Sequence, residues 1–202
     1  SGLYQWLVMP FGLCNAPATF QRAMEMVLSG LNWMICLVYI DDILVFSKDF
    51  DSHLVNLEKV LTRLHDFGFK IKLSKCSFAA REVKYLGHVV NEEGVSVDPD
   101  KVEDISKFPR PKTVRETQRF LGLANYVSSF IKNFGILASP LHKMIGDGKK
   151  DRNIEAEWTD ICEESFVAIK RSLTSDPVVL AHPDWNYPFV LITDACDSGA
   201  GA

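Results

Sequence analysis

Two adjacent aspartates, Asp41 and Asp42, interrupt the otherwise apolar stretch CLVYIDDILVFS. Because like charges this close repel each other, the pair requires an offsetting positive charge. Mg²⁺ is a suitable candidate, since it takes oxygen ligands and commonly uses one or two protein carboxylates together with substrate phosphates. The pair therefore predicts a metal site for phosphoryl chemistry. The alternative is a plain Asp-Asp turn, because aspartate also favours turns by bonding its own backbone.

The segments around the pair predict a β-hairpin that carries the acids at its tip. Residues 34–39 and 43–47 are short β-rich runs, and Ile40, Asp41 and Asp42 separate them. A hairpin would hold the carboxylate oxygens in a fixed place, as a metal site requires.

Amphipathic helices are predicted on both sides of this hairpin. The first has Asn15 as its N-cap and ends at Gly30, and the second begins at Asp51 or Ser52 and ends at Gly68. The order helix, hairpin, helix indicates an α+β arrangement.

The rest of the chain alternates between strand patterns and helix patterns. Gly, Lys and Asp are enriched over residues 146–157, which predicts a linker. The other predicted elements are a strand at 69–73, a hairpin at 82–97, helices at 99–108, 113–130 and 160–173, and a strand after residue 186.

The composition is that of a folded protein with a real core. The chain has 202 residues, of which 47% are hydrophobic. No stretch approaches the roughly 18 apolar residues of a membrane span, and the first residues lack a signal-peptide pattern, which predicts a soluble intracellular protein without a membrane partner. Five scattered cysteines without a C-x-x-C pair favour reduced core thiols over disulfides or a zinc site.

The net charge of −4 is unfavourable for a protein whose whole surface binds nucleic acid. Such binding would have to use local clusters of basic residues. The alternative is that these clusters are solvated faces of ordinary elements. The candidates are Lys70, Lys72, Lys75, Arg110, Lys112, Arg115 and Arg119.

Several blocks of the sequence, in order, resemble those of reverse transcriptases. Tyr39-Ile40-Asp41-Asp42 resembles the Y-x-D-D signature, and MPFGLCNAPATFQRAM is similar to the block that precedes it in those enzymes. Three further blocks look like the palm end and the thumb-to-connection region of gypsy-type long-terminal-repeat retrotransposon polyproteins. They are GFKIKLSKCSF, YLGHVV and the stretch from VDPDKVEDISKF to YVSSFIKNF. FVLITDACDSGAGA resembles the first strand of the ribonuclease H domain that follows there. The resemblance covers essentially the whole chain.

The resemblance implies an α+β fold with four segments. A truncated right-hand polymerase palm, built from an antiparallel sheet with helices, would occupy residues 1–97. A helical thumb and connection module would follow at 98–145, and a linker with a connection helix at 146–182. Residues 183–202 would begin a ribonuclease H-like domain, which is incomplete.

For the polymerase site, the resemblance implies that Asp41 is a ligand of the catalytic metal ions and that Asp42 is its less direct neighbour. In two-metal nucleotidyl transfer one Mg²⁺ activates the primer 3′-hydroxyl and another stabilises the leaving pyrophosphate; Mn²⁺ is the alternative ion. Tyr39 would position the primer end, or else pack as core. Lys75 would stabilise charge near the pyrophosphate or act as a general acid, the alternative being a solvated surface lysine.

Nucleic-acid contacts are implied for three further groups of residues. The first would line the nucleotide and template pocket, although a simple strand-to-helix turn explains it equally well. The second would form the primer grip, although a plain hairpin core explains it too. The third would follow the duplex backbone along the thumb helix. The groups are Pro10, Phe11 and Gly12; Tyr85, Leu86 and Gly87; and Gln118, Arg119 and Asn125.

Two departures from the family pattern concern carboxylates. In the family, a strand upstream of the MPFG block carries an aspartate that bridges both metal ions. This sequence begins after that strand. Asp194 matches the first metal carboxylate of ribonuclease H, whereas Asp197 fits a loop residue. Because ribonuclease H needs further carboxylates, its site is expected to be incomplete here.

The expected function is therefore that of a segment of an RNA-directed DNA polymerase, inactive in isolation. Its expected partners are an RNA or DNA template-primer, dNTPs, and the upstream fingers and palm and downstream ribonuclease H and integrase segments of a polyprotein. Its expected location is the cytoplasm, virus-like particles or the nucleus. An alternative is a retained remnant that binds nucleic acid or protein without chemistry. A third, remote reading is an unrelated α/β metal-binding domain for other phosphoryl chemistry.

Overall fold

The computed structural model describes residues 2–146, 151–175, 178–184, 186–191, 193–196 and 199–201. Helices and short antiparallel strands alternate along the chain, which confirms the expected mixed α+β class. The helices are α1 (Ala16–Val27), α2 (Phe50–Asp66), α3 (Pro99–Ser106), α4 (Val114–Tyr126), α5 (Phe134–Ile145) and α6 (Asp160–Thr174). The strands are β1 (Cys36–Tyr39), β2 (Asp42–Val45), β3 (Val83–Tyr85), β4 (His88–Val90), β5 (Val95–Val97), β6 (Asp194–Cys196) and β7 (Gly199–Gly201).

The chain divides into two compact units, residues 1–80 and residues 81–202. The division falls inside the segment 1–97 that the sequence assigns to a palm, and the bounds of the four family-based segments stay predictions. Each unit has its own apolar core. Within the described residues, no helix is long and apolar enough to cross a lipid bilayer.

In the first unit, α1 and α2 pack against the β1–β2 hairpin. Leu28 and Cys36 are fully buried at the centre of this core, and Val60 of α2 is 2% exposed. Burial raises the pKa of the Cys36 thiol. The sequence prediction of core thiols is confirmed for Cys36 and Cys162 but is wrong for Cys14 and Cys76, which are exposed. This core anchors the hairpin whose turn carries the aspartates.

The helix ends of the first unit differ from the sequence prediction in two places. Asn15 precedes α1, but its side chain makes no capping hydrogen bond, and Pro17 in the first turn supplies the preorganised backbone instead. The N-cap of α2 is Asp49 rather than Asp51 or Ser52, because Asp49 and Ser52 form a reciprocal capping box. Hydrogen bonds from the Ser52 backbone and side chain lower the pKa of Asp49. Gly68 ends the helix at a φ of 76°, as predicted.

The strand predicted at 69–73 is wrong. Residues 69–72 are irregular and a short 3-10 helix follows at Leu73–Lys75. Alternating apolar residues form a strand only when a neighbouring strand takes their backbone hydrogen bonds. Within the described residues no such strand pairs with this segment, which explains the difference.

The second unit combines a three-stranded antiparallel sheet, in the order β3-β4-β5, with the helices α3 to α6. The ring of Phe120 is fully buried, and its centroid lies 4.6 Å from that of Phe166. α4 ends at Tyr126 and a 3-10 turn follows at Ser128–Phe130, so the helix is shorter than the predicted 113–130. Thr113 caps α4 by accepting from the Glu116 backbone, as the sequence predicts.

The predicted linker at 146–157 is only partly a linker. Ile154 is fully buried, and its amide donates to the Lys112 carbonyl at 2.9 Å. The Val114 amide donates in turn to the Arg152 carbonyl at 3.1 Å. This stretch is polar overall, yet one buried apolar side chain and two backbone hydrogen bonds fix it beside the start of α4. Residues 147–150 lie outside the described part.

The C-terminal stretch joins the sheet at an earlier residue than the sequence predicts. Leu180 forms a bridge with Val95 through two backbone hydrogen bonds of 2.8 and 2.9 Å. Residues 186–191 are irregular, whereas a strand was expected there, and the strand forms only at β6. Asp197 lies outside the described residues.

Candidate functional site

Asp41 and Asp42 lie at the end of the β1–β2 hairpin. Tyr39 pairs directly with Asp42, so Ile40 and Asp41 form a two-residue loop. The sequence placed both acids in the loop, but Asp42 is the first residue of β2. Both aspartates are exposed, and Tyr39 is 52% exposed rather than packed in the core.

The backbone of this loop is strained at Ile40. Its φ is 51°, in the left-handed region, whereas Asp41 has a negative φ. A positive φ at the first central residue is typical of a type II′ hairpin turn, where glycine is favoured. A β-branched residue in this conformation is an outlier, and its cost is on the order of 1–3 kcal/mol. The surrounding structure must therefore hold the turn in place.

The side chain of Gln21, on α1, provides that support. The Ile40 amide donates to Gln21 Oε1 at 2.5 Å, and Gln21 Nε2 donates to the Val38 carbonyl at 3.2 Å. The two backbone groups belong to the outer edge of β1, so the glutamine amide replaces a neighbouring strand. Gln21 Nε2 also donates to Glu25 Oε1 at 2.9 Å, which orients the amide. Residue type alone gave no reason to single out Gln21.

The two carboxylates are available to a ligand. Within the described residues, neither side chain takes part in an ion pair or a hydrogen bond. In the same part of the chain, no group of three His, Cys, Asp or Glu side chains is close enough to hold a metal ion. Two exposed neighbouring carboxylates suit a hard dication that completes its coordination elsewhere. They fit one side of a metal site rather than a whole one.

The other residues predicted for the nucleotide pocket lie in exposed segments. Pro10, Phe11 and Gly12 belong to the irregular stretch before α1, where Phe11 is fully exposed and Gly12 has a φ of 91°. Lys75 ends the short 3-10 helix and is exposed. Within the described residues, no hydrogen bond or ion pair joins any of them to the aspartates, so their roles stay predictions.

The predicted primer-grip residues form the turn between β3 and β4. Tyr85 pairs with His88, which leaves Leu86 and Gly87 as a two-residue loop. Both have positive φ, 47° and 69°, as in a type I′ turn. Tyr126, at the end of α4, donates its hydroxyl to the Leu86 carbonyl. This tyrosine is a second residue that the sequence pattern did not reveal, because it is 40 residues away.

An ion pair fixes the base of the same hairpin. Lys84 Nζ lies 2.8 Å from carboxylate oxygens of both Asp98 and Asp100. The hydrogen bonds that Lys84 donates to these two carboxylates raise the pKa of Lys84, and the bond to Asp98 lowers the pKa of Asp98. Asp98 also caps α3, so the pair connects the hairpin to the helix that follows it.

The predicted backbone-contact residues Gln118, Arg119 and Asn125 are exposed on α4. The neighbouring basic residues are partly neutralised. Arg110 lies over the Trp158 ring at 5.2 Å and 3.5 Å from Glu163. Two similar pairs are Lys112 with Glu155 and Arg115 with Asp151. For these three residues the solvated-face interpretation is favoured, whereas Lys70 and Lys72 are exposed and form no ion pair among the residues that the structure describes.

For the ribonuclease H-like end, the structure places the backbone of Asp194 at the start of β6, paired with Gly201. A two-metal site needs more than one carboxylate, so the role of Asp194 as a metal ligand stays a prediction.

Comparison with protein families gives two matches. Residues 1–90 match the family described as reverse transcriptase (RNA-dependent DNA polymerase), and residues 158–202 match the RNase H-like domain found in reverse transcriptase. The hairpin with Asp41 and Asp42 lies in the first match, and Asp194 in the second.

Several curated relatives match along the whole chain. The retrovirus-related Pol polyprotein from transposon 297 of Drosophila melanogaster is 41% identical over 202 residues, 100% of this chain and 19% of the relative. That from transposon gypsy of the same organism is 37% identical over 207 residues, 100% of this chain and 20% of the relative. The chain thus spans about a fifth of the length of these relatives.

Solved structures agree with these matches. A foamy viral protease-reverse transcriptase in complex with double-stranded DNA has a TM-score of 0.77 and 27% identity, covering 89% of this chain and 31% of that chain. Another, in complex with an RNA/DNA hybrid, has a TM-score of 0.72 and 28% identity, covering 87% and 23%. Together with the Tyr-Ile-Asp-Asp hairpin, these matches identify the chain as a reverse transcriptase segment of the kind found in gypsy-type retrotransposon Pol polyproteins.

Proposed function

We propose that this chain supplies the catalytic hairpin, the primer-grip turn and the thumb of an RNA-directed DNA polymerase. The observation that carries the proposal is the hairpin tip. Two exposed carboxylates follow a strained Ile40, and Gln21 fixes the backbone beside them. Strain of this kind persists where the fold over-determines it, and it is concentrated at functional sites.

Asp41, assisted by Asp42, would hold Mg²⁺, with Mn²⁺ as the alternative. The donor set fits, since both residues are exposed oxygen ligands and neither forms an ion pair within the described part of the chain. Bound there, the ions would activate the primer 3′-hydroxyl and stabilise the leaving pyrophosphate. Tyr39 would orient the primer end beside Asp42, its partner in the hairpin, and exposed Lys75 would balance the charge of the pyrophosphate.

The isolated chain would be inactive as a polymerase. Two dications need more protein oxygens than one neighbouring pair provides, and within the described residues no third acidic group joins the pair. The missing ligand would come from a palm strand of the same polyprotein. The ribonuclease H-like end would likewise contribute Asp194 to a site that further segments complete.

The partners of the whole polymerase would be an RNA or DNA template-primer and dNTPs. The foamy viral structures that resemble this chain are complexes with double-stranded DNA and with an RNA/DNA hybrid. Other partners would be the fingers, ribonuclease H and integrase segments of the polyprotein, and the location would be intracellular, in virus-like particles or the nucleus.

Manganese titration followed by NMR tests the metal site in the chain itself. We expect Mn²⁺ at millimolar concentrations to broaden the amide signals of residues 39–42 before any others, because two carboxylates alone bind a dication weakly. Asp41→Asn should abolish this local broadening. Asp51→Asn, a change of another exposed aspartate, is the matched control and should leave it intact.

Broadening that persists in Asp41→Asn, or that is no stronger near the hairpin than at Asp51, would contradict the metal site. That result would favour the alternative of a remnant that binds nucleic acid or protein without chemistry. The lack of a third described acidic group at the pair is the observation that keeps this alternative open.

A further inference from the structure

The turn between β3 and β4 has an unfavourable residue at its first position. Leu86 has a φ of 47°, a conformation that type I′ turns normally assign to asparagine, aspartate or glycine. Leucine gains no local hydrogen bond there, so the turn needs support from outside. Leu86 is 36% exposed, so it is not anchored as a fully buried core residue.

Tyr126 provides it through three contacts. Its hydroxyl donates to the Leu86 carbonyl, and its ring stacks on His88 with centroids 5.4 Å apart and planes 5° apart. A Cβ on Gly87 would come within 2.9 Å of the Tyr126 hydroxyl oxygen, so only glycine allows this approach. The Gly87 carbonyl in turn accepts from the Asp98 amide at 3.2 Å.

We propose that Tyr126 is a positioning residue for primer binding, which holds the Leu86–Gly87 turn in its strained form so that the turn presents a fixed surface to a nucleic-acid strand. The inference rests on the proposed function, because it takes this turn to be the primer grip. Both carbonyls of the turn accept hydrogen bonds from within the unit. The turn therefore enters binding with its conformation already set, which lowers the entropic cost of binding.

The position of Tyr126 adds a geometric consequence. It is the last residue of α4, the helix that also carries Gln118, Arg119 and Asn125 on exposed positions. A rigid helix with a side-chain bond to the turn keeps the turn at a fixed spacing from these residues. A duplex that contacts the helix would meet the turn in one register.

The test compares Tyr126→Phe with Tyr187→Phe in the 202-residue chain. Tyr126→Phe keeps the ring stack and removes only the hydroxyl donor, whereas Tyr187 is 71% exposed and serves as the matched control. The readouts are the affinity for a fluorescent DNA primer annealed to an RNA template and the hydrogen exchange of the Asp98 amide. The His88 ring signals report whether the stack is intact.

We expect Tyr126→Phe to weaken duplex binding and to speed Asp98 amide exchange by about five- to tenfold each, the effect of one lost hydrogen bond. The His88 signals should stay unchanged, and the melting temperature should fall by no more than about 4 °C, because one hydrogen bond is a small part of the stability of a chain of this size. Leu86→Asn, added to Tyr126→Phe, should restore slow exchange of the Asp98 amide, because asparagine adopts positive φ without the tyrosine. A merely structural role of Tyr126 would not produce this rescue.

Three results would overturn the proposal. The first is unchanged Asp98 exchange in Tyr126→Phe, or fast exchange that Leu86→Asn does not slow, which would mean that the tyrosine does not hold the turn. The second is faster exchange with unchanged affinity, which would mean that the turn does not bind the primer. The third is the absence of duplex binding by the unmodified chain; this result alone would also remove the proposed nucleic-acid function.

Discussion

Gln21→Leu is the substitution that tests the support of the aspartate hairpin. Leucine fills a similar volume on α1, but it can neither accept from the Ile40 amide nor donate to the Val38 carbonyl. Both backbone groups lie on the open edge of β1, so water is their remaining partner. The change removes the polar contacts and leaves the helix itself intact.

The expected magnitude follows from the two lost bonds. Each neutral hydrogen bond contributes about 0.5–1.5 kcal/mol, and water replaces part of this because Gln21 is only half-buried. The sum is about 1–2 kcal/mol. It is comparable with the strain at Ile40, which is on the order of 1–3 kcal/mol. Without Gln21 the turn should open locally while the core of the unit remains folded.

Hydrogen exchange of the Ile40 amide measures this opening directly. A loss of 1–2 kcal/mol should speed exchange by about 5- to 30-fold. Gln21→Glu should give an intermediate value, since a carboxylate accepts from Ile40 but cannot donate to Val38 and is repelled by Glu25. Gln118→Leu, the same change on an exposed face of α4, is the control. If Ile40 in Gln21→Leu exchanges within twofold of the rate in the unmodified chain, Gln21 does not support the turn.

Three further substitutions or treatments have defined outcomes. Gly94→Ala should undo the bridge to Leu180 and expose that segment to limited proteolysis, because its Cβ would lie 2.2 Å from the Leu180 carbonyl oxygen; resistance equal to that of the unmodified chain would contradict this. Lys84 lowers the pKa of Asp98 in the folded state. The stability that this pair contributes is therefore present above the unfolded pKa of about 3.9, and it is lost as the pH falls through the lower folded pKa. Asp98→Asn, which retains the helix cap, should therefore lower stability at pH 7 and flatten the acid-denaturation curve below about pH 4. Burial raises the pKa of Cys36, and peptide-resolved alkylation at pH 8 should modify it far more slowly than the thiols that the structure leaves exposed.

Local patterns were enough to predict most elements of the fold. The β-rich runs around Asp41 predicted the hairpin, and Gly68 predicted the end of α2. Both patterns depend on only a few neighbouring residues, so the tertiary structure does not change what they predict. The predicted strand at 69–73 failed because a strand also depends on a distant partner.

The support of the candidate site could not be predicted in this way. Gln21 reaches a backbone 17 to 19 residues away, and Tyr126 reaches one 40 residues away. Nothing in their local sequence distinguishes these side chains from other polar residues at a helix surface. The positive φ of Ile40 could not be predicted either, because β-branched residues normally avoid this conformation. The burial of Ile154 was not predicted, because the residues around it are mostly polar.

Asp41 and Asp42 are, in our proposal, one part of a polymerase metal site that other segments complete. Primer extension shows whether they act in this way. The assay compares the 202-residue chain with a hybrid polymerase, a gypsy-type reverse transcriptase in which this chain replaces the matching segment. With Mg²⁺ or Mn²⁺ on an RNA template, we expect no extension by the chain alone, extension by the hybrid polymerase, and loss of that extension in Asp41→Asn. Extension by the chain alone that Asp41→Asn abolishes, or a hybrid polymerase indifferent to Asp41→Asn, would contradict the claim.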